Sequence, residues 1–136
     1  DDSVDTSVYV ETYGQTPSNW DYTENFIIGI ERAANYVKGN VTTVAANAIY
    51  TVSRTYTAEQ LSTMGGYVPV FVSGYPIKTS GDVTKMAFLG GLVFINPGAT
   101  KISVQCRWVN TSSSSVSITD GDLVLSVLYI KGSIEL

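Results

Sequence analysis

Two stretches late in the chain decide its fold: Lys101-Ile102-Ser103-Val104-Gln105-Cys106-Arg107-Trp108, and Asp122-Leu123-Val124-Leu125-Ser126-Val127-Leu128-Tyr129-Ile130-Lys131. In the first, every even position is apolar and every odd one polar, the period of two that marks a strand buried on one side. In the second, Leu123, Leu125, Val127 and Tyr129 fall on one face while Val124, Leu128 and Ile130 fall on the other, interrupted only by Ser126. A strand apolar on both faces needs cover twice, from the core of its own domain and from a further layer or a neighbouring subunit. An all-β domain that assembles is the reading these residues support.

Working outward, Ser3 to Thr12 alternates weakly and predicts a first strand, and Tyr13 to Thr23 a loop. Phe26, Ile27, Ile30, Ala33, Ala34 and Val37 share a helical face, with Asp21 or Thr23 as N-cap and Lys38-Gly39-Asn40 as stop. The alternative is a short buried strand over Phe26 to Ile30, because periodicity does not settle so short an apolar run. Val41 to Tyr56 predicts one long strand, or two broken near Ala45-Ala46-Asn47. Thr57-Ala58-Glu59-Gln60 matches a capping box and predicts one helical turn ending at Gly65-Gly66.

Tyr67 to Ser73 reads as a strand that Pro69 confines to an edge or a bulge. Turns are expected at Gly74-Tyr75-Pro76, Ser80-Gly81-Asp82, Asn96-Pro97-Gly98 and, as a tight hairpin, at Asp120-Gly121-Asp122. Gly90-Gly91 splits the apolar run Met86 to Ile95 and suggests a bulge or a close backbone approach. Seven to nine short strands at this spacing, with no internal repeat, predict one antiparallel β-sandwich over residues 1–136, jelly-roll-like, with one short helix or helical turn. The opening Asp-Asp-Ser, without a charged-then-apolar leader, fits a mature product or, better, the C-terminal fragment of a longer fibrous or modular protein.

Charged residues make up 15% of the chain, against about 25% in an ordinary domain, and the formal charge is −4. The eight Lys and Arg are scattered, which argues against a nucleic-acid or membrane-surface partner. No apolar run is long enough for a transmembrane helix. Histidine is absent from the sequence, which removes serine–histidine triads and imidazole metal sites within the chain. Glu31, Glu59, Asp82, Asp120 and Asp122 supply carboxylates, but no spacing marks out an acid–base pair. No catalytic residue, metal or cofactor is expected. Cys106, alone and in the apolar phase of its strand, predicts a buried, inert thiol. Asn40-Val41-Thr42 and Asn110-Thr111-Ser112 are sequons, which matter only in a secretory pathway.

Nine tyrosines and two tryptophans are the remaining functional material. Trp20, Tyr22, Tyr67 and Tyr75 lie in or beside loops, with Asn19 and Asp21 adjacent, a combination that stacks on a sugar ring and hydrogen-bonds its hydroxyls. The same rings can instead close the ends of the sandwich.

The run Thr119-Asp120-Gly121-Asp122-Leu123-Val124-Leu125, a turn leading into a doubly apolar strand, resembles the corresponding part of trimeric jelly-roll heads. These are the receptor-binding tip domains of bacteriophage tail fibres and the related C1q-like and tumour-necrosis-factor-like trimers. The resemblance implies a non-enzymatic homotrimer on a virion surface or otherwise extracellular. It also implies packing of Leu123, Leu125, Val127, Leu128 and Ile130 near the three-fold axis, and a host-surface receptor or glycan as partner. A carbohydrate-binding module of a secreted enzyme and a capsid or decoration jelly roll are the other readings the composition admits.

Overall fold

The computed structural model describes residues 26–95 and 101–132. The strand expected at Ser3 to Thr12, the loop after it with Asn19, Trp20, Asp21 and Tyr22, and the Asn96-Pro97-Gly98 turn lie outside these residues. Eight strands are described: β1 (Phe26–Glu31), β2 (Val41–Val44), β3 (Ile49–Tyr56), β4 (Tyr67–Pro76), β5 (Met86–Phe94), β6 (Ile102–Asn110), β7 (Val116–Thr119) and β8 (Leu123–Lys131). One short helix, α1 (Ala58–Ser62), and a 3₁₀ turn (Asp82–Lys85) complete them. Every strand pairing is antiparallel.

The pairings are nested. β1 pairs with β8, β2 with β7 and β3 with β6, while β4 lies alongside β5. A long hairpin rolled up on itself gives this nested order, so the antiparallel sandwich is jelly-roll-like, with the difference that β4 hydrogen-bonds to β8 and β5 to β6. The front sheet has the order β1-β8-β4 and the back sheet β3-β6-β5. The β2-β7 ribbon joins the back sheet at one end and feeds β8 at the other, so that Val44, Val116 and Ile118 close one end of the core.

The alternation in β6 orders the core as its sequence requires. Ile102, Val104, Cys106 and Trp108 are buried, and Arg107 points to water. Burial pushes the Cys106 thiol up to about 11, as an inert core residue should show. Ser103 is an exception, buried beside Thr55, whose hydroxyl lies 3.1 Å from its own. From β8, Leu123, Leu125, Val127 and Tyr129 enter the same core. Leu123, Leu125 and Val127 are therefore covered by this chain itself and face no second copy. Of the five interface positions expected from the sequence, only Leu128 and Ile130 lie on the outer face.

Several local expectations hold and others are corrected. Phe26 begins a strand, not a helix, and it is not a buried one, since Ile27, Ile28 and Ile30 are exposed. Val41 to Tyr56 is two strands broken at 45–48, where Asn47 adopts φ 62°. The capping box forms: Gln60 N–H donates to Thr57 Oγ1 at 3.1 Å and Thr57 N–H to Gln60 Oε1 at 2.9 Å. β4 is an edge strand, and its register shifts between Pro69 and Phe71. Gly74-Tyr75-Pro76 is not a turn. It continues β4 opposite Leu125, Val124 and Leu123, because an edge strand tolerates proline and the missing Cβ of Gly74 makes way for Trp108.

β5 is a single strand whose register shifts between Phe88 and Gly90, and the close approach expected at the double glycine is real. A Cβ on Gly91 would sit 2.2 Å from the Val72 carbonyl oxygen, so the two sheets are pinched together along β4 and β5. Asp120-Gly121-Asp122 is a tight turn, closed by Asp122 N–H donating to Thr119 O at 3.0 Å. It is a corner and not a hairpin, because β7 and β8 belong to different sheets.

Candidate functional site

The flank opposite the β4/β5 seam, along β1 and β3, is open and holds a cleft of about 670 Å³. Its walls come from the end of β1, the 32–40 loop, β2, β3 and the 119–122 corner. The loop is anchored to the back sheet by Ala34 N–H donating to Ser53 O at 3.0 Å. The corner is tied to the loop through Asp120. Its carboxylate accepts from Val37 N–H at 3.1 Å and from Asn40 Nδ2 at 3.4 Å, and its own N–H donates to Asn40 O at 2.8 Å. Gly121, at φ 91°, turns a bare Cα toward the Tyr36 ring, where a Cβ would come within 3.1 Å. The Arg32 guanidinium lies over the other side of the site, 4.2 Å from the centroid of the same ring.

Tyr50 lines the cleft from β3. Its phenol is pushed up by burial first and then by the charge of Asp120, against a hydrogen bond with Thr42. It stays neutral at ordinary pH and works as a hydrogen-bonding hydroxyl on an aromatic wall.

The cleft's carboxylates are engaged by the protein. Asp122 pairs with Lys78 at 3.0 Å, and Asp120 is held by the loop as described. Glu31 pairs with Arg54 from β3 and accepts from Tyr129 Oη at 2.8 Å. Since Tyr129 spends its proton on Glu31, the Tyr56 hydroxyl donates to Tyr129 Oη at 2.6 Å. The two rings meet edge to face at 6.2 Å. Gly29 leaves the room this cluster needs, because a Cβ there would come 2.7 Å from Glu31 Oε2. Arg54, Glu31, Tyr129 and Tyr56 thus clasp the two sheets behind the cleft. Burial, followed by these hydrogen bonds, holds the Tyr129 phenol far above its ordinary range.

Among the described residues, no group of three or more His, Cys, Asp or Glu is arranged to hold a metal ion. No described helix is long and apolar enough to cross a membrane. Asn110, in one of the two sequons, is fully buried. Its amide donates to Val44 O, Ala45 O and Ser114 O and its oxygen accepts from Ser112, so it is consumed by the fold. Asn40, in the other sequon, is exposed at the cleft.

Of the aromatic positions expected from the sequence, Tyr67 and Tyr75 are described, at opposite ends of β4. Eight residues of strand separate them by about 26 Å, so they do not form one site. Tyr67 packs against the core with Lys131 over its ring, and Tyr75 stands exposed on the outer face of the front sheet. Neither lines the cleft. Tyr36 and Tyr50 do, and both escape a reading by loops, since Tyr50 lies within a strand and Tyr36 follows an apparent helical face. The one signal in the sequence was Asp120-Gly121-Asp122, whose turn chemistry builds the cleft wall.

Comparison of the chain with protein-family models, with curated proteins and with solved structures found no match.

Proposed function

We propose that this domain is a non-enzymatic recognition module that binds a saccharide in the Tyr36/Tyr50 cleft, serving as the receptor-binding head of a homotrimeric fibre or adhesin at a virion surface or in an extracellular setting. The observation that carries the reading is the composition of the cleft. Two tyrosines stand among Asn35, Asn40, Thr42 and Thr51 with Arg32 beside them, and the carboxylates are already engaged by Lys78, Arg54 or loop donors. The Tyr50 wall can receive the apolar side of a sugar ring, Tyr36 is braced by Arg32 and Gly121 as the opposite wall, and amides and hydroxyls exchange hydrogen bonds with the sugar's hydroxyls. The volume falls within the range of small-ligand sites. Committed carboxylates are poorly placed to act as free acid and base, which favours binding over hydrolysis.

The test is binding of the full chain to a glycan array and to whole cells at low and high salt, with Tyr36→Ala and Tyr75→Ala alongside. Removing the Tyr36 ring takes away one wall of the cleft together with the support for Arg32 and weakens binding roughly tenfold, while Tyr75→Ala, on the outer sheet face, leaves the per-site affinity unchanged. Binding that survives Tyr36→Ala at full strength sinks the cleft assignment. Failure to bind any saccharide or cell favours the capsid or decoration reading.

A further inference from the structure

The outer face of the front sheet is a ladder of apolar rows. Register places Phe26, Ile130 and Val68 side by side, then Ile28, Leu128 and Phe71, then Ile30, Ser126 and Ser73, and finally Val124 beside Tyr75. No charged side chain stands in these rows. Exposure is high where it should be low for a free surface: 62% at Ile28, 58% at Ile30 and 59% at Phe71. The back sheet shows what a solvated face of this protein looks like. Across its middle the outer positions are Thr51, Ser53 and Thr55 on β3 and Gln105 and Arg107 on β6, with apolar residues confined to one end, at Ile49, Val109 and Ala87, and to the β5 edge, at Leu92 and Phe94.

We propose that copies of this chain pack on one another through the outer face of the front sheet, with Ile28, Phe71, Leu128 and Ile130 at the contact. The number of copies, three, rests on the assembled head proposed above, whereas the face itself does not depend on the ligand. The exposed side chains run the length of the sheet, from Ile130 through Ile28 and Phe71 to Tyr75, an extended face of the kind a standard specific interface uses, at ~800 Å² from each partner. A second copy is the occupant that suits the surface. A chain of net charge −4 repels its own copies in general, and this uncharged face is where they meet without that penalty. Its polar groups, the hydroxyls of Ser73, Ser126 and Tyr75, each donate and accept, so they are complementary to themselves. A basic or acidic partner would find no counter-charge here.

The experiment is the native mass of the full chain by light scattering at micromolar concentration, for the wild type and for Phe71→Lys and Leu128→Lys. The wild type should run as three copies of 14.6 kDa, and each lysine should give the single-copy mass with dispersed amide spectra retained. Ile28→Ser and Phe71→Ser keep the test decisive if lysine unfolds the chain: at these exposed positions they should loosen association at least about tenfold with the tertiary signal intact. A wild-type mass of one copy overturns the proposal and leaves the face to another segment of the chain or to a different protein. An oligomer indifferent to all four substitutions overturns it as well. Two copies would uphold the face and overturn the trimer. A single-copy variant that keeps its per-site saccharide affinity while losing avidity separates this inference from the cleft reading.

Discussion

The two outer faces of the sandwich are built from the same topology and opposite chemistry. On the back sheet, β6 presents Gln105 and Arg107 outward and β3 presents Thr51, Ser53 and Thr55. On the front sheet, β8 and its neighbours present aliphatic and aromatic side chains interrupted only by two serines. Both sheets have the same inward task, to fill one core. The outward side chains are thus free to differ, polar across the middle of the back sheet and apolar across the front sheet, and the second pattern is the one the proposed association would cover.

The sharpest way to break this comparison is to truncate the front sheet on each of its faces. Leu125→Ala removes a fully buried side chain and should cost about 2–5 kcal/mol in denaturant unfolding of the protomer. Ile28→Ala, on the opposite side of the same sheet, should cost less than about 0.5 kcal/mol once the protein is diluted to single copies. Equal losses would mean that the outer face belongs to the protomer's own core.

A smaller effect comes from the clasp. Tyr129→Phe deletes the hydroxyl that donates to Glu31 and accepts from Tyr56, and should cost about 1–2 kcal/mol. Its pH signature has a definite sign. Both Tyr56 and Tyr129 are raised above the ordinary 10.0 in the folded state, so their contribution is complete below pH 10 and is lost as pH rises above it, where the unfolded chain gives up protons that the folded one keeps. Thermal midpoints should therefore fall more steeply above pH 10 in the wild type than in Tyr129→Phe; parallel curves would remove the clasp from the account. Smallest of all, Gln105→Lys on the back sheet should shift stability by no more than about 0.5 kcal/mol and leave the native mass unchanged. A change of mass there would erase the distinction between the two faces.

Much of this contrast is legible in the amino-acid sequence, because a period of two is a local property. Ile102 to Trp108 and Leu123 to Ile130 announce one-sided and two-sided strands before any contact is known. Proline at 69, the Thr57 capping box and the break at 45–48 act over a few residues and are equally readable. β1 is ambiguous for the same reason that it matters: Ile27, Ile28 and Ile30 are all exposed, and an apolar run without alternation mimics a helical stripe. Gly74-Tyr75-Pro76 looks like a turn because the reasons it is not lie in β6, β8 and an open edge. The cleft is the least legible part. Tyr36 and Asp120 are brought together across 84 positions of chain by hydrogen bonds from a loop, and Tyr50 owes its place to a strand whose inner face opens at one end.

The nesting of the strands also sets when the molecule can become itself. β1 has its hydrogen-bonding partner in β8, with Phe26 opposite Ile130, so roughly a hundred residues must be in place before the front sheet has its middle strand. Until then β1 and β4 wait with Ile28, Ile30 and Phe71 uncovered on one side and the core uncovered on the other, the kind of surface that invites premature association. The inner turns of the roll, β3 with β6 and β2 with β7, close over shorter spans and can organise first. The outermost pair then arrives last and delivers the central strand and the completed apolar ladder together, so under the proposed association a chain ready to meet its copies is one that has finished folding.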